Sequence, residues 1–558
     1  MAVQGNGRTG GRLIVDMLKV HGVDVVFSVA GESFLEVLDA FVDVPEVKLI
    51  TCRQEGGAAF MAEAVGKLTG QPGVAIVTRG PGACNASIGV HTAFQDSTPM
   101  ILLVGQVARD QAEREAFQEI DYRRMYGSVA KWAAQIDDAA RIPELLSRAF
   151  HVAASGRPGP VVLALPEDML RDVVDAADPR PMTPTYAAPA APDLARLTEM
   201  LSQAQRPVMM VGGSGWTDEA ARAIQGFAEA WNVPVCCSFR RQDVIDNRSE
   251  SYIGDLGTGA NPKLVARLKQ ADLLLVVGAR LGEITTQGYD LMAIPQPDQK
   301  LIHIHANAEE LGRVFRPDLA IQSGSAAFAA AIAGTKSAST SRWAEWAKAA
   351  RADYHEWLVP GKYDGALDLG SAFVWLRDRL PENAIITSDA GNFSGWAQRF
   401  LTYRRPGRQL GPTSGAMGYG VPAAVAAAIK HPDRIVVGNV GDGGFMMTGQ
   451  ELSTAMAARA APIILLFNNG IFGTIRMHQE RRYPGRISGT DLVNPDFVAL
   501  AKSYGAFAAK VERTVEFAPA FEEAVAAKRA AVLELRVDPE VITTRTTLSA
   551  IRAAALKK

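Results

Sequence analysis

Residues 435–473 read IVVGNVGDGGFMMTGQELSTAMAARAAPIILLFNNGIFG. The stretch opens with an apolar run, Ile435-Val436-Val437, that predicts a buried strand. A tight turn is expected at Gly441-Asp442-Gly443-Gly444. A helix is expected from about Thr448, where Thr448 and Glu451 are spaced as a capping box. The second apolar run, Ile463 to Phe467, predicts the next parallel strand and stops at Asn468-Asn469-Gly470. Two hard oxygen ligands, Asp442 and Asn469, then sit just past the carboxyl ends of two strands of one βαβ unit, where open α/β sheets bind ligands. Glycines let a backbone approach a phosphate, and a helix N-terminus adds amides and positive dipole. A carboxylate, an amide oxygen and diphosphate oxygens together suit Mg²⁺, which rarely takes an all-protein cage.

The 558 residues are too many for one core and predict several domains. Hydrophobic content of 48% and charged content of 21% are ordinary for a globular chain, and a net charge of −2 leaves no basic footprint for nucleic acid. Cys52, Cys84, Cys236 and Cys237 form no zinc spacing, and the adjacent pair reads as core. MAVQGNGRTGG carries no apolar leader, and no run of about 18 apolar residues follows, so a cytoplasmic location without a membrane span is expected.

Strand–helix alternation runs through the chain and predicts an α/β protein of three doubly wound parallel-sheet domains, over residues 1–175, 190–340 and 360–545. In the first, strands are expected at Val25–Val29, Val47–Thr51, Val74–Thr78, Met100–Val104 and Pro160–Leu165. Proline and alanine dominate 172–193, which reads as a linker. The second has strands at Pro207–Val211, Val233–Ser238, Leu273–Val277 and Leu301–His305, and closes on the Ser/Thr-rich GTKSASTSR. The third holds the opening stretch, with further strands at Ala384–Ser388 and Ala531–Val537, and ends in a helical tail. The first and third share a βα grammar consistent with duplication.

In the opening stretch 24 residues separate Gly443 from Asn468, with strand, helix and strand in order. Gly-Asp-Gly followed at this interval by Asn-Asn resembles the thiamine diphosphate (ThDP) enzymes, and the chain is similar to their acetolactate synthase branch over nearly its whole length. Arg53 to Ala62 resembles that family's glutamate segment, Arg-x-Glu-x-x-Ala-x-x-Met-Ala. The resemblance implies that Glu55 bonds N1′ of the cofactor's aminopyrimidine, an ionised carboxylate stabilising the protonated ring so that its amino group can take the thiazolium C2 proton. It implies that Met417, in Ser-Gly-Ala-Met-Gly-Tyr-Gly, wedges the two rings into a bent shape. It implies cofactor contacts at Gly391, Asn392, Phe393, Gly415, Gly441, Asp442, Gly443, Gly444, Asn469, Ile471, Phe472 and Gly473. The metal falls to Asp442, Asn469 and the carbonyl of Ile471. Asp389 reads equally as a cofactor contact or a turn residue.

Gly80 to Asn85 resembles the family's Gly-Pro-Gly-Ala-Thr-Asn, and also reads as a helix entry shaped by proline. Phe117-Gln118-Glu119 resembles its Phe-Gln-Glu, whose glutamine reaches the reacting intermediate. Lys131 reads as either a surface or an active-site lysine, and His91 as a packed helix residue. Three places depart from the pattern. Gly31-Glu32-Ser33 replaces Gly-Gly-Ala, which makes Glu32 either a second acid/base group or a solvated first-turn glutamate. His478 replaces a tryptophan that helps select the acceptor, giving a smaller, more polar wall. Gly278-Ala279-Arg280 resembles a flavin-contacting turn, yet His303-Ile304-His305-Ala306-Asn307 lacks both acids of the family's His-Ile-Asp-Ile-Asp, which argues against FAD and leaves another nucleotide or none.

The resemblance implies decarboxylation of a 2-oxo acid with ligation to a carbonyl acceptor. The alternatives are a non-ligating decarboxylase or acyloin/2-hydroxyacyl lyase, and a silent nucleotide-binding paralogue. An NAD-linked dehydrogenase lacks its Gly-x-Gly-x-x-Gly. It also implies a homodimer or homotetramer with active sites between subunits.

Overall fold

The computed structural model describes residues 7–335, 342–361 and 365–557. Residues 1–6 of the N-terminal stretch lie outside the described residues, as do 336–341 of the Ser/Thr-rich segment and Lys558. Among the described residues no helix is long and apolar enough to cross a membrane.

Three six-stranded sheets carry the chain, and every pairing within them is parallel. The first holds β1 Val25–Ser28, β2 Lys48–Thr51, β3 Gly73–Val77, β4 Met100–Gln106, β5 Trp132–Gln135 and β6 Pro160–Pro166, in the order β2-β1-β3-β4-β6-β5. The second holds β7 Pro207–Val211, β8 Val235–Cys237, β9 Tyr252–Asp255, β10 Leu273–Val277, β11 Lys300–His305 and β12 Leu319–Gln322, in the order β9-β8-β7-β10-β11-β12. The third holds β13 Ile385–Ser388, β14 Gln409–Leu410, β15 Val436–Gly441, β16 Ile463–Asn468, β17 Phe507–Val511 and β18 Ala531–Arg536, in the order β14-β13-β15-β16-β18-β17. The first and third sheets thus repeat one permutation, whereas the second follows the dinucleotide-fold order.

The middle strands are continuous apolar runs, as strands covered on both faces must be. Leu103, Leu163 and Val26 pack against helix residues Leu13, Met17 and Leu146 in the first core. Cys236 and Cys237 are buried in the second. Leu465, Phe467 and Leu533 meet Phe373 and Phe521 in the third.

Four helices matter for the site: α1 Glu55–Thr69, α2 Pro81–Asp96, α3 Asp442–Thr448 and α4 Gly473–Arg482. Two expectations for the opening stretch are corrected. Gly441-Asp442-Gly443-Gly444 is not a free-standing turn, because β15 runs to Gly441 and α3 starts at Asp442. The helical segment expected from about Thr448 is present, as a 3₁₀ turn over Gly449–Glu451 that runs into the helix Leu452–Ala457, but Thr448 and Glu451 form no capping box, because the Glu451 carboxylate is engaged elsewhere. The linker around 175–190 is irregular, and the C-terminal tail is a helix, Leu548–Leu556.

The chain divides into two compact bodies. Residues 7–185 with Val421–His431 and Thr448–Ala460 form one; the described residues of Tyr186–Gly420, Pro432–Met447 and 461–557 form the other. In the first sheet the strand order reverses between β1 and β3, and in the third between β13 and β15. Crevices at the carboxyl ends of such strand pairs are where this architecture takes ligands.

Candidate active site

In the first body Glu55 is the first residue of α1 and is half-buried. Gln54 caps the helix, its side-chain oxygen accepting the Gly57 N–H at 3.0 Å. Asn85 on α2 donates Nδ2–H to Glu55 Oε2 at 2.9 Å. A Cβ added at Gly82 would stand 3.4 Å from Glu55 Oε1, so the carboxylate lies against the first turn of α2, and two helix N-termini favour its negative charge. Pro81 opens α2 as expected.

Beneath this entrance lies a residue whose part sequence reasoning missed. Glu451 is 0% exposed. Its Oε1 accepts the backbone N–H groups of Arg53 at 3.1 Å and Gln54 at 3.0 Å, and its Oε2 accepts the Thr454 hydroxyl at 2.6 Å. Burial raises its pKa, and these donors pull the other way. A Cβ at Gly57 would come within 2.6 Å of Glu451 Oε1. The glycine at the start of α1 was the available signal, since it marks a close approach.

Gln118 sits on the loop after β4 with φ of +66°. Glu119 braces that loop by accepting the amides of Glu113 and Ala116 at 2.6 and 3.0 Å. Glu32, just past β1, has a side chain 63% exposed and lies 3.6 Å from the Arg79 guanidinium. Lys131 has a capping role: its ammonium donates to the carbonyls of Val152 and Ser155 at 2.5 and 2.6 Å, closing the C-terminus of the helix Ile142–Ala154. His91 is a correction, because it lies on the exposed face of α2 rather than packed inside.

In the second body Asp442 follows β15 and is buried. Its Oδ1 accepts the Gly443 N–H at 2.9 Å, and its Oδ2 accepts Gly470 N–H and Asn494 Nδ2–H, both at 2.8 Å. Burial raises its pKa, against the pull of those donors. Asn494 also donates to Asn468 Oδ1 at 3.0 Å. Sequence reasoning missed it, because it stands in an irregular loop beyond any motif. Asn469 Oδ1 accepts the Ile471 N–H at 3.2 Å, which folds the chain into a short turn over the end of β16.

The glycines here are close-approach positions. A Cβ at Gly443 would meet the Phe472 ring at 2.6 Å and the Met417 methyl at 3.4 Å; one at Gly441 would meet the Phe393 ring at 2.7 Å. Met417, half-buried, is flanked by Gly415 and Gly418, with φ of +71° and +84°. Asp389 ties the loops together. It is 0% exposed, accepts Ala390 N–H at 2.8 Å and Gly418 N–H at 3.0 Å, and would touch a Cβ at Gly444. Burial pushes its pKa up to about 6. Gly391 has φ of +150°, and its neighbour Asn392 exchanges hydrogen bonds with Thr474 at 3.1 Å, pinning this loop to α4. Gly473 begins α4, and His478 is exposed on that helix, four residues past Thr474 and so on the same face.

The donor set fits a divalent cation that shares its shell with a diphosphate. It offers one buried carboxylate, one side-chain amide oxygen and a carbonyl, all hard oxygens with a single negative charge. Among the described residues no group of three or more His, Cys, Asp or Glu side chains forms an all-protein cage. At Gly391, Gly441, Gly443 and Gly444 the Cβ positions are taken by Phe393, Phe472 and Asp389, so these glycines let the loops at the strand ends close on one another.

Comparison with known proteins settles the family. Residues 8–125 match the N-terminal TPP binding domain of thiamine pyrophosphate enzymes, 194–332 their central domain, and 389–535 their C-terminal TPP binding domain. The acetolactate synthase large subunit of Corynebacterium glutamicum is 33% identical over 538 residues, covering 92% of this chain and 84% of that protein. The chain belongs to the thiamine pyrophosphate enzymes, in their acetolactate synthase-like branch. Acetolactate synthase isozyme 2 large subunit of Escherichia coli is 31% identical, with 89% of each chain covered. Acetolactate synthase of Bacillus subtilis is 28% identical, with 95% of this chain and 93% of that protein covered. Thiamine pyrophosphate is ThDP, so the expected cofactor and the three-domain α/β fold both stand, and the chain is a ThDP-dependent decarboxylating carboligase acting on small molecules.

Proposed function

We propose that this enzyme uses ThDP with Mg²⁺ to decarboxylate a 2-oxo acid and joins the remaining fragment to a carbonyl acceptor, giving acetolactate when pyruvate is both donor and acceptor. The observation that carries the reading is the convergence of Asp442, Asn469 and Ile471 at the ends of β15 and β16, beside Gly443, Met417 and Phe472. Asp442, Asn469 Oδ1 and the Ile471 carbonyl hold the metal. The Gly391–Phe393 loop, Gly415, Gly441, Gly443, Gly444 and the Phe472-Gly473 entry to α4 receive the diphosphate, and the N-terminus of α3 adds its dipole. Met417, beside Gly443 and Phe472, would pack its apolar side chain against the cofactor's rings. Glu55 holds a proton at N1′ of the aminopyrimidine, supported by Asn85 and by two helix N-termini. When bound, the cofactor supplies the electron sink for carbanion chemistry at its C2 carbon.

Gln118 orients the substrate. Glu32 and His478 stand as the variable groups, one acidic and one imidazole, that tune which acceptor is taken. Two or four copies of the chain build the sites between subunits, as the family resemblance implies. FAD has no part in this reading. At the two positions where the family carries acids stand His305, which is buried, and Asn307, whose backbone N–H donates to His305 Nδ1 at 3.0 Å. A Cβ at Gly213 would fall 1.9 Å from the Gly278 carbonyl, so β7 and β10 close on each other where a nucleotide would enter.

Purified protein supplied with ThDP, Mg²⁺ and a panel of 2-oxo acids tests the proposal, with CO₂ and products followed together. A hydroxyketone carrying a new C–C bond is expected. Free aldehyde as the sole product would replace ligation with the decarboxylase or lyase reading.

A further inference from the structure

The loop after β3 carries a buried cation. Arg79 is 8% exposed and stands where the first sheet reverses its strand order, across from Glu32. Its backbone N–H donates to Ser33 Oγ at 3.3 Å, and Ser33 Oγ pairs with Thr78 Oγ1 at 2.9 Å, so the loop is fixed to the end of β1. The guanidinium then spans three segments. Nε donates to the Phe117 carbonyl at 3.2 Å, Nη1 to Glu167 Oε2 at 2.8 Å just past β6, and Nη2 lies 3.6 Å from Glu32 Oε1.

The Phe117 carbonyl belongs to the same peptide unit as the Gln118 nitrogen, so Arg79 fixes the peptide plane that leads into Gln118. That plane needs fixing. Gln118 has φ of +66°, a conformation that costs free energy for a residue with a Cβ and persists only where its surroundings enforce it. Gly80, beside Arg79, closes the other side. It has φ of +60°, its N–H donates to the Tyr122 hydroxyl at 2.8 Å, and a Cβ there would come within 2.7 Å of Gln118 Cβ. Only glycine permits this approach.

We propose that Arg79 is the positioning residue for Gln118 and thereby sets how tightly the enzyme holds its 2-oxo acid. The planar fork reaches a carbonyl and a carboxylate at once, with a second carboxylate beside it, a pattern that a lysine ammonium does not reproduce. Removing it frees the Phe117–Gln118 peptide to leave its strained conformation, and a displacement of about 1 Å in a substrate-orienting group costs on the order of 10²-fold. The inference rests on the assignment of Gln118 to the substrate.

The test uses the full-length enzyme loaded with ThDP and Mg²⁺. R79M is expected to raise KM for the 2-oxo acid at least tenfold while cofactor affinity stays within twofold. R79K should not restore KM, whereas methylguanidinium added to R79M should restore part of it, a response that a general loss of packing would not give. E167Q removes one carboxylate partner of Arg79 and should raise KM about threefold, which keeps the test open if R79M does not fold. Unchanged KM in folded R79M, or in E167Q where R79M fails to fold, would overturn the inference. Q118A separates the two levels. If Q118A leaves KM unchanged, the assignment of Gln118 fails; if Q118A raises KM and folded R79M does not, the Arg79 inference alone fails.

Discussion

Glu451 accepts the backbone N–H of Gln54 at 3.0 Å, and so a fully buried carboxylate sets the residue immediately before Glu55. The same carboxylate takes the Arg53 amide and the Thr454 hydroxyl. E451A leaves two amides without their acceptor, and should lower unfolding stability by about 2–3 kcal/mol. E451Q retains one acceptor oxygen and should lose about 1 kcal/mol. Denaturant unfolding checks both, and turnover should fall in the same order, because the entrance of α1 loses its support.

Asp389 gives a pH dependence with a defined sign. Burial raises its pKa from 3.8 to about 6, against the pull of the Ala390 and Gly418 amides and of Arg240. The unfolded chain therefore releases this proton first. The contribution to stability is fully present below about pH 4 and is lost as pH rises through about 6, a change on the order of 3 kcal/mol. D389N carries no such proton. Its stability relative to the parent should rise by that amount across the interval, on top of a constant loss from the missing second acceptor. Thermal unfolding at pH 4, 5, 6 and 7 reads the difference, and a pH-independent gap would contradict it.

The closeness of Gly443 to Phe472 makes a steric prediction. A Cβ at residue 443 would lie 2.6 Å from the Phe472 ring and 3.4 Å from the Met417 methyl. G443A should weaken ThDP binding at least tenfold by calorimetry at fixed Mg²⁺. Its unfolding midpoint should move less than that of E451A, because the ring it displaces is only half-buried.

Metal removal is the parallel test for Asp442. Chelation should abolish turnover, and added Mg²⁺ should restore it. D442A should not be rescued at any Mg²⁺ concentration that restores the parent, since it removes the only carboxylate of the proposed set. Full activity in the presence of chelator would contradict the assignment.

How far the sequence carried these conclusions differed by element. Strands in the middle of each sheet announced themselves as continuous apolar runs. Trp132–Gln135, Tyr252–Asp255, Leu319–Gln322, Gln409–Leu410 and Phe507–Val511 did not, and all five are edge strands, which pair on one side only and so need no such run. An additional helix, Asp442–Thr448, precedes the helical segment expected from about Thr448, because Gly443 and Gly444, read as a turn, occupy its first turn. At the candidate site, the strand–helix–strand pattern pointed to the Asp442 and Asn469 loops, whereas Glu55 was singled out through the family resemblance. Asn494, Glu451 and Arg79 were not legible, because each finds its partner through the tertiary fold, at the distance of 398 residues for Glu451 and Arg53.

The most direct test of the central claim is exchange of the C2 proton of bound ThDP with deuterated solvent, followed by NMR after acid quench. The parent enzyme should exchange it far faster than free cofactor does, and E55Q should slow that exchange at least a hundredfold while still binding ThDP. Equal exchange rates in E55Q and parent would contradict the role given to Glu55.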